Sequence, residues 1–288
     1  MSHTARLLIS CPDARGVVAS VTSFIHDRGG NIVDLDQHVD PDSNAFFMRV
    51  EVERGTLDIG PGEFDESFAP VRERFLLNAR CEWCDRPKRV AIFVSQEDHC
   101  LADLLWRFGR GELGGEAGGE VVGVISNHEV CRAQVEAGGL AFHHLPVTPE
   151  TKAEQERTAM ALLGELDVDL VILARYMQVL TPRFVAAYPS RIINIHHSFL
   201  PAFAGARPYH RAHERGVKLI GATSHYVTDE LDEGPIIAQR TAGVTHRDAV
   251  ADLVRKGRDL ERLVLAEAAR VHLDDRVLTL GRRTVVFG

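Results

Sequence analysis

The sequence lacks the long apolar run of a membrane-spanning helix, because no stretch approaches the roughly 20 consecutive apolar residues that such a helix needs. Residues 1–6 also lack the apolar region of a secretory signal peptide. With 45% hydrophobic and 26% charged residues, the composition is that of a globular protein in water. We therefore predict a cytoplasmic protein without a membrane partner.

Clusters of basic residues are missing as well, and the formal net charge is −8 at pH 7. Nucleic-acid binding needs Lys and Arg side chains gathered against phosphates. The sequence therefore predicts no nucleic-acid partner. The total charge does not argue against a small anionic ligand, which responds to local charge.

Cysteine is scarce, with five residues in a chain that carries no export signal, and this odd number predicts reduced thiols. Cys81 and Cys84 form a Cys-x-x-Cys pair without a second pair, which favours an inert linker over a zinc or redox site. His143, His144 and His213 show no metal-ligand spacing with a third partner. We predict neither a metal site nor a bound cofactor.

A small α+β module of order βαββαβ is predicted over residues 1–82. Residues 6–11 are typical of a strand, and Val17–Asp27 carries apolar residues at helical spacing that end at Gly29-Gly30. Residues 83–88 form a predicted linker. From residue 89 to 288 strands alternate with helices, which predicts a second domain built on a Rossmann-like, mostly parallel sheet.

Residues 191–201 combine a β-branched strand with polar side chains at its carboxyl end. Strand alternation places Asn194 and His196 on one side and His197 on the other, so His197 is predicted to be structural. An amide beside an imidazole can stabilise an oxyanion and move a proton. Such a pair can equally be a structural hydrogen bond.

Residues 221–235 add a second strand, another histidine at His225 and an acidic loop closed by Gly234-Pro235. In an open parallel sheet, ligands bind at the carboxyl ends of strands. The strand ends at Ala174, His196 and His225 are therefore predicted to face one crevice. Two polar strand ends close together in sequence favour a functional site.

The two segments resemble the motifs of the folate-dependent formyltransferase family. The residues that carry the resemblance are Asn194, His196, Ser198, Leu200 and Pro201, followed by Gly221, Ala222, Thr223, His225, Val227, Asp232, Gly234, Pro235, Ile236, Ile237 and Gln239. The extended form, residues 196–203 with 205–210, is similar to the branch that hydrolyses 10-formyltetrahydrofolate to tetrahydrofolate and formate. The N-terminal module resembles an ACT domain.

The resemblance implies the roles of individual residues. Asn194 would donate to the formyl oxygen, His196 would transfer the proton, and Asp232 would hold that imidazole or the water, with His225 as its support. The folate ring would bind between two stretches, which are Met177, Gln178, Val179 and Leu180, and Thr228, Asp229, Glu230 and Leu231. In the ACT-like module, Asp13, Gly16 and Asn31 would face an amino-acid effector of the methionine or glycine type, although each is equally typical of a turn or cap.

The acceptor of the formyl group separates a hydrolase from a transferase. Residues 95–100, which follow the first strand of the second domain, contain two carboxylates and no glycine and make a poor phosphate-binding turn. This favours water as the nucleophile, and the resemblance to the family implies a role in one-carbon balance and purine supply. A formyltransferase to a small amine or nucleotide, and a non-catalytic amino-acid sensor, stay as alternatives. Because ACT modules commonly pair through edge strands, we also expect a homo-oligomer.

Overall fold

The computed structural model describes residues 4–115, 117–201 and 208–288. The chain divides into two compact units, of which the second consists of Lys88–Leu273 and Gly281–Arg283. No helix in the described ranges is both long and apolar enough to cross a membrane. Residues 202–207, part of the extended motif, lie outside the described residues.

The first unit contains a four-stranded antiparallel sheet and two helices. Its elements are β1 (Thr4–Pro12), α1 (Val17–Asp27), β2 (Ile32–Asp40), β3 (Ala45–Glu53), α2 (Pro61–Phe75) and β4 (Asn78–Trp83). The strands lie in the order β2-β3-β1-β4, and each neighbouring pair is antiparallel. The predicted order βαββαβ is therefore confirmed.

The spacing of apolar residues along α1 explains why this helix packs on the sheet. Val17, Val21 and Ile25 recur every four residues, lie on one face and are at most 2% exposed. Phe24 of α1 packs against Phe68 of α2 with ring centres 5.0 Å apart. Burying one such side chain contributes about 1.5 to 3 kcal/mol, so apolar contacts of this kind hold the two helices on the sheet.

The second unit is built around a seven-stranded sheet. Its elements are β5 (Lys88–Val94), α3 (His99–Gly109), β6 (Gly119–Ser126), α4 (Arg132–Ala137), β7 (Phe142–His144), α5 (Lys152–Glu165), β8 (Leu170–Leu173), α6 (Pro182–Ala187), β9 (Ile192–His196), α7 (Pro208–Arg215), β10 (Leu219–Tyr226), β11 (Ile236–Gly243) and α8 (Val250–Leu273). The strand order is β11-β10-β9-β8-β5-β6-β7. The sequence pattern did not predict the short helices α6 and α7.

The sheet is parallel from β7 to β9 and antiparallel beyond β9. The mostly parallel sheet is therefore confirmed, but the argument that brought His225 to the crevice is wrong. Because β10 runs antiparallel to β9, its carboxyl end does not lie beside the carboxyl end of β9. His225 reaches the site because the register of the two strands places it directly opposite Asn194.

The C-terminal residues complete the first unit. After α8 come β12 (Val277–Leu280) and β13 (Arg283–Val286), which form the predicted hairpin. Arg6 and Arg49 alternate with the core residues of β1 and β3 and so lie on the face of the sheet away from the helices. Nη1 of Arg6 lies 3.4 Å from the Asp275 carboxylate, and Nε of Arg49 donates to the Asp275 carbonyl oxygen at 3.1 Å.

The observed units differ from the predicted domain boundaries. The prediction places all of residues 89–288 in the second domain, whereas Asp274–Leu280 and Thr284–Gly288 belong to the first unit. The physical reason is that the buried Arg6 and Arg49 find partners 269 and 226 residues away, a separation that no local pattern reveals.

The observed connection between β4 and β5 also differs from the predicted linker. Trp83 ends β4 and Lys88 begins β5, so the connection is shorter than residues 83–88. Cys81 lies within β4, where burial raises the pKa of its thiol to about 12. This cysteine is thus an unreactive strand residue, and the described residues contain no disulfide.

Candidate active site

A cavity of about 700 Å³ lies in the second unit where β8, β9 and β10 end or turn. It brings together all four predicted catalytic side chains, Asn194, His196, His225 and Asp232. A cavity of this volume matches the size of sites that enclose small organic ligands. The sequence therefore located the polar centre of the cavity.

Two histidines contact the Asp232 carboxylate in the polar centre of the cavity, and the contact with His196 is the shorter one. Nδ1 of His196 lies 3.2 Å from Oδ1 of Asp232, and His196 is 6% exposed. Asp232 adopts a left-handed backbone conformation with φ 58°, which Asp tolerates better than most residues. Gly234 follows where a side chain would overlap the carbonyl oxygen of Tyr226, so the loop returns close to β10.

His225 contacts both Asn194 and Asp232. Its Nδ1 lies 2.9 Å from the carbonyl oxygen of Tyr226, which can only accept, so Nδ1 carries a proton. In the neutral ring Nε2 is then an acceptor, 3.3 Å from Nδ2 of Asn194. This bond fixes the Asn194 amide and occupies one of its two hydrogens. Nε2 also lies 3.7 Å from Oδ1 of Asp232.

Electrostatics keep Asp232 ionised. Burial alone raises the pKa of this carboxyl, but the hydrogen bond from His196 and the nearby His225 imidazole outweigh it and hold the pKa well below its usual range. Asp232 is therefore an anion at neutral pH. An anion at this position favours a proton on Nδ1 of His196 and leaves the lone pair on Nε2.

His197 corrects one expectation from the sequence. β9 ends at His196, so strand alternation no longer applies, and His197 lines the same cavity as Asn194. Its ring stacks on that of His196 with centres 5.2 Å apart and planes at 25°. Burial, and then the charge of Arg175, lower the pKa of His197 to about 4. A neutral aromatic ring thus backs the His196 imidazole.

The two predicted folate-binding stretches lie in the cavity wall. They are Met177, Gln178, Val179 and Leu180 after β8, and Thr228, Asp229, Glu230 and Leu231 after β10. Met177, Val179 and Leu231 are 59%, 54% and 65% exposed, so large apolar side chains here are not packed in the core. Exposed apolar groups beside a polar centre provide a surface for a flat heterocycle.

Sequence reasoning missed a second, charged part of the cavity wall, formed by Glu97, Arg175, Tyr209, Arg258 and Glu261. We call these five residues the charged wall. The sequence contained one indication of this charged wall. Gly257 lies within the helical pattern of α8, and an isolated glycine in a helix indicates that another group approaches its backbone closely.

Three side chains could approach a metal ion. One potential ligand atom from each of His99, Cys100 and Glu261 lies within 4.8 Å of the others. His99 Nε2 already contacts Glu261 at 2.9 Å, and the guanidinium of Arg175 lies 3.5 Å from the same carboxylate oxygen. Burial raises the pKa of the Cys100 thiol, which disfavours the thiolate that a metal needs. These contacts do not fit a cation.

The predicted effector residues are not all adjacent in the first unit. Gly16 precedes α1 with φ 94°, and Asp13 lies three residues before it. Asn31 follows the other end of α1, where its main-chain N–H donates to Thr56 Oγ1 at 2.8 Å. Because 11 residues of helix span about 16 Å, one unit does not bring Asn31 beside Asp13 and Gly16. Asp13 and Gly16 thus lie at one end of α1 and Asn31 at the other, and their contact with an amino-acid effector stays a prediction.

Comparison with known proteins first gives the class. A family model described as Formyl transferase matches residues 88–269, and one described as ACT domain matches residues 5–59. The crystal structure of a glycinamide ribonucleotide transformylase from Symbiobacterium toebii covers 70% of this chain and 95% of its own, with 32% identity and a TM-score of 0.65. The chain thus combines an ACT domain with a formyltransferase-type domain, as the sequence motifs indicated.

Full-length relatives then give the particular family. A formyltetrahydrofolate deformylase of Synechocystis sp. is 50% identical over 99% of this chain and 98% of that relative. The crystal structure of a formyltetrahydrofolate deformylase from Pseudomonas syringae pv. tomato covers 100% of this chain and 95% of its own, with 46% identity and a TM-score of 0.96. This chain belongs to the formyltetrahydrofolate deformylase family.

Proposed function

We propose that this chain hydrolyses 10-formyltetrahydrofolate and releases tetrahydrofolate and formate. The observation that carries the proposal is the contact of His196 Nδ1 with the Asp232 carboxylate at 3.2 Å, beside an Asn194 amide that His225 holds in place. A base, its anionic partner and an amide donor are the groups that attack on a formyl carbon requires. Full-length family membership supports the same reaction.

In the proposed reaction, His196 acts through Nε2, whose lone pair follows from the proton on Nδ1. Nε2 takes a proton from water as the oxygen attacks the formyl carbon, a step typically worth 10²- to 10⁴-fold in rate. The negative charge moves to the formyl oxygen. The second Nδ2 hydrogen of Asn194 donates to it, an effect of about 3 kcal/mol for one donor.

The tetrahedral intermediate then breaks its bond to N10. His196 returns the proton to N10, which leaves as the amine of tetrahydrofolate, and formate departs after losing the hydroxyl proton to solvent. The charges of Asp232 and the imidazolium compensate each other during this step. The exposed apolar stretches 177–180 and 228–231 bind the folate ring in this proposal.

Transfer of the formyl group to an amine is the second candidate, because the second unit resembles a transformylase in fold. An amine acceptor that carries a phosphate would need a phosphate-binding turn after β5, and the turn in this chain is poorly suited to that. Between β5 and α3 the chain carries Glu97, whose carboxylate pairs with Arg258 at 2.6 Å. A carboxylate in this turn repels a phosphate group, so the geometry favours water.

Formate release from 10-formyltetrahydrofolate without any acceptor tests the proposal. The wild type is expected to release formate and tetrahydrofolate in equal amounts, and His196→Ala is expected to lose most of this activity. An acceptor-dependent reaction would instead show no formate until an amine is added. That result would replace the hydrolase with the transferase.

We also propose that the ACT domain binds a small amino acid such as methionine or glycine and that the enzyme balances formyl-folate against free folate for purine supply. Titration calorimetry with both amino acids tests the first part, and absence of heat with either would contradict it. The homo-oligomer and the cytoplasmic location stay predictions from the sequence. Sedimentation at micromolar concentration distinguishes the oligomer from a monomer.

A further inference from the structure

Side chains of the charged wall are held in place by contacts with the Glu261 carboxylate. Tyr209 donates its hydroxyl proton to Oε1 of Glu261 at 2.7 Å, and His99 Nε2 lies 2.9 Å from Oε2 of the same carboxylate. Glu261 is 1% exposed, and burial raises its pKa less than the contacts with His99, Arg175 and Tyr209 lower it. Glu261 is therefore a buried anion that fixes the Tyr209 hydroxyl.

Helix α8 makes room for the Tyr209 ring. A Cβ at Gly257 would overlap the phenol oxygen and two ring carbons of Tyr209, so the ring lies directly against the helix backbone. Gly257 and Glu261 are four residues apart and thus share one face of α8. The glycine admits the ring, and the carboxylate one turn later holds its hydroxyl.

The charges of the wall are compensated by one another. Arg258 pairs with Glu97 at 2.6 Å, and Arg175 Nε lies 3.5 Å from Glu261. An amine substrate that carries a phosphate would need cations there, and these two already face carboxylates. It would also have to displace the Tyr209 ring, which is held on three sides by Gly257, Glu261 and the His197 ring at 6.4 Å between centres.

We propose that Tyr209 closes the acceptor end of the cavity and is the residue that restricts the nucleophile to water, with Gly257 and Glu261 as its positioning residues. This inference rests on the proposed function. In both reactions the bond from the formyl carbon to N10 breaks and N10 receives a proton. With water a C–O bond forms and formate leaves, whereas with a primary amine a C–N bond forms and a formamide leaves.

The test measures how the formyl group is divided between water and glycinamide, used as a small primary amine. Tetrahydrofolate, formate and N-formylglycinamide are quantified in one sample at several glycinamide concentrations. Two variants remove the Tyr209 ring from its position by different routes. Tyr209→Ala removes the ring, and Gly257→Ala displaces it while favouring the helix. Tyr209→Phe is the matched control, because it keeps the ring and removes only the hydroxyl.

We expect the fraction of formyl groups found on glycinamide to rise at least tenfold over wild type in Tyr209→Ala and Gly257→Ala. Tyr209→Phe should stay within threefold of the wild-type fraction. An equal fraction in wild type and in both of these variants would overturn the proposal. Loss of tetrahydrofolate release in both would also overturn it, because Tyr209 would then serve hydrolysis itself. Failure of the proposed function is distinct, since wild type would then release no formate when glycinamide is absent.

Discussion

Nδ1 of His196 lies 3.2 Å from Oδ1 of Asp232, while Nε2 of the same ring has no hydrogen-bond partner among the described residues. One nitrogen is thus committed to a carboxylate and the other is available for a reactant. An unsatisfied buried nitrogen costs folding free energy, about 1 to 3 kcal/mol for a neutral group. A cost of this kind at a cavity wall is typical of a functional group, and it makes the Asp232 carboxylate the first residue to test.

Replacing Asp232 by Asn should lower kcat/KM for formate release by about 10³-fold, because the amide no longer supplies the anion that fixes the His196 proton on Nδ1. Asp229→Asn is the matched control, since Asp229 lines the same cavity but is an exposed carboxylate. It should change kcat by less than threefold, whereas KM is free to change because residues 228–231 bind the folate ring in the proposed reaction. A similar loss of kcat in both variants would contradict the assignment and indicate a general effect of cavity charge.

Two substitutions test whether Asn194 contributes a hydrogen bond or only its shape. Asn194→Ala removes the donor to the formyl oxygen and should lower kcat by about 10²- to 10³-fold with little change in KM. Asn194→Asp keeps the shape but places an anion beside the developing oxyanion, so kcat should fall at least as far. Steady-state rates of tetrahydrofolate formation check this. An Asp variant more active than the Ala variant would show that shape, not hydrogen-bond donation, is the contribution of Asn194.

His197→Phe should make stability less dependent on pH below 7. In the folded wild type the His197 pKa is about 4, whereas in the unfolded chain it is about 6.5, so between these values the unfolded state binds the additional proton. The free energy of unfolding therefore falls as the pH drops, by about 2 kcal/mol between pH 7 and pH 5. Phe has the ring without this titration.

Urea unfolding at both pH values, followed by circular dichroism, measures this difference. The loss of unfolding free energy between pH 7 and pH 5 should be about 2 kcal/mol smaller in the variant than in wild type. Equal losses would mean that His197 is protonated at similar pH in the folded and unfolded chains.

Removing the Asp275 side chain should destabilise the first unit. Arg6 and Asp275 side chains are 5% and 3% exposed, and removing one partner of a buried ion pair costs about 3 kcal/mol. Since Glu51 still contacts Arg6 at 3.2 Å, we expect about 2 kcal/mol for Asp275→Ala. Asp65→Ala is the control in the same unit, because Asp65 pairs with Arg72 at the surface with its side chain 79% exposed, and its removal should change the unfolding free energy by less than about 0.5 kcal/mol.

The two tryptophans allow the units to be followed separately. Trp83 lies in β4 of the first unit and Trp106 in α3 of the second. On a Trp106→Phe background, fluorescence during urea unfolding reports the first unit alone. Equal destabilisation by Asp275→Ala and Asp65→Ala would contradict the importance of the buried pair.

The sequence predicted those parts of the site that depend on local order. Asn194 and His196 lie on one strand, and the stretch 177–180 begins within four residues of the end of β8, so spacing and motif resemblance were sufficient. The order βαββαβ followed from apolar periodicity and turn residues. In each case the determining contacts lie within a few residues of the motif.

Other features depend on long-range geometry and were missed. His225 joins Asn194 through an antiparallel register, which alternation within one strand does not reveal. His197 lines the cavity because β9 ends at His196, so the alternation of side chains along the strand does not extend to His197. Glu261 contacts His99 across 162 residues of sequence. The only local indication of the charged wall in the described part of the sequence is therefore Gly257 in α8.

The pairing of Arg6 and Arg49 with residues 274 and 275 has a consequence for synthesis on the ribosome. The chain emerges from its N-terminus, and domains generally fold as they emerge. The sheet that is made first must keep two arginines without these partners until nearly the whole polypeptide has left the exit tunnel. Residues 88–273, the contiguous part of the second unit, have all been translated before residues 274 and 275. The seven-stranded sheet, although it is translated second, can therefore form before the first sheet has all of its partners.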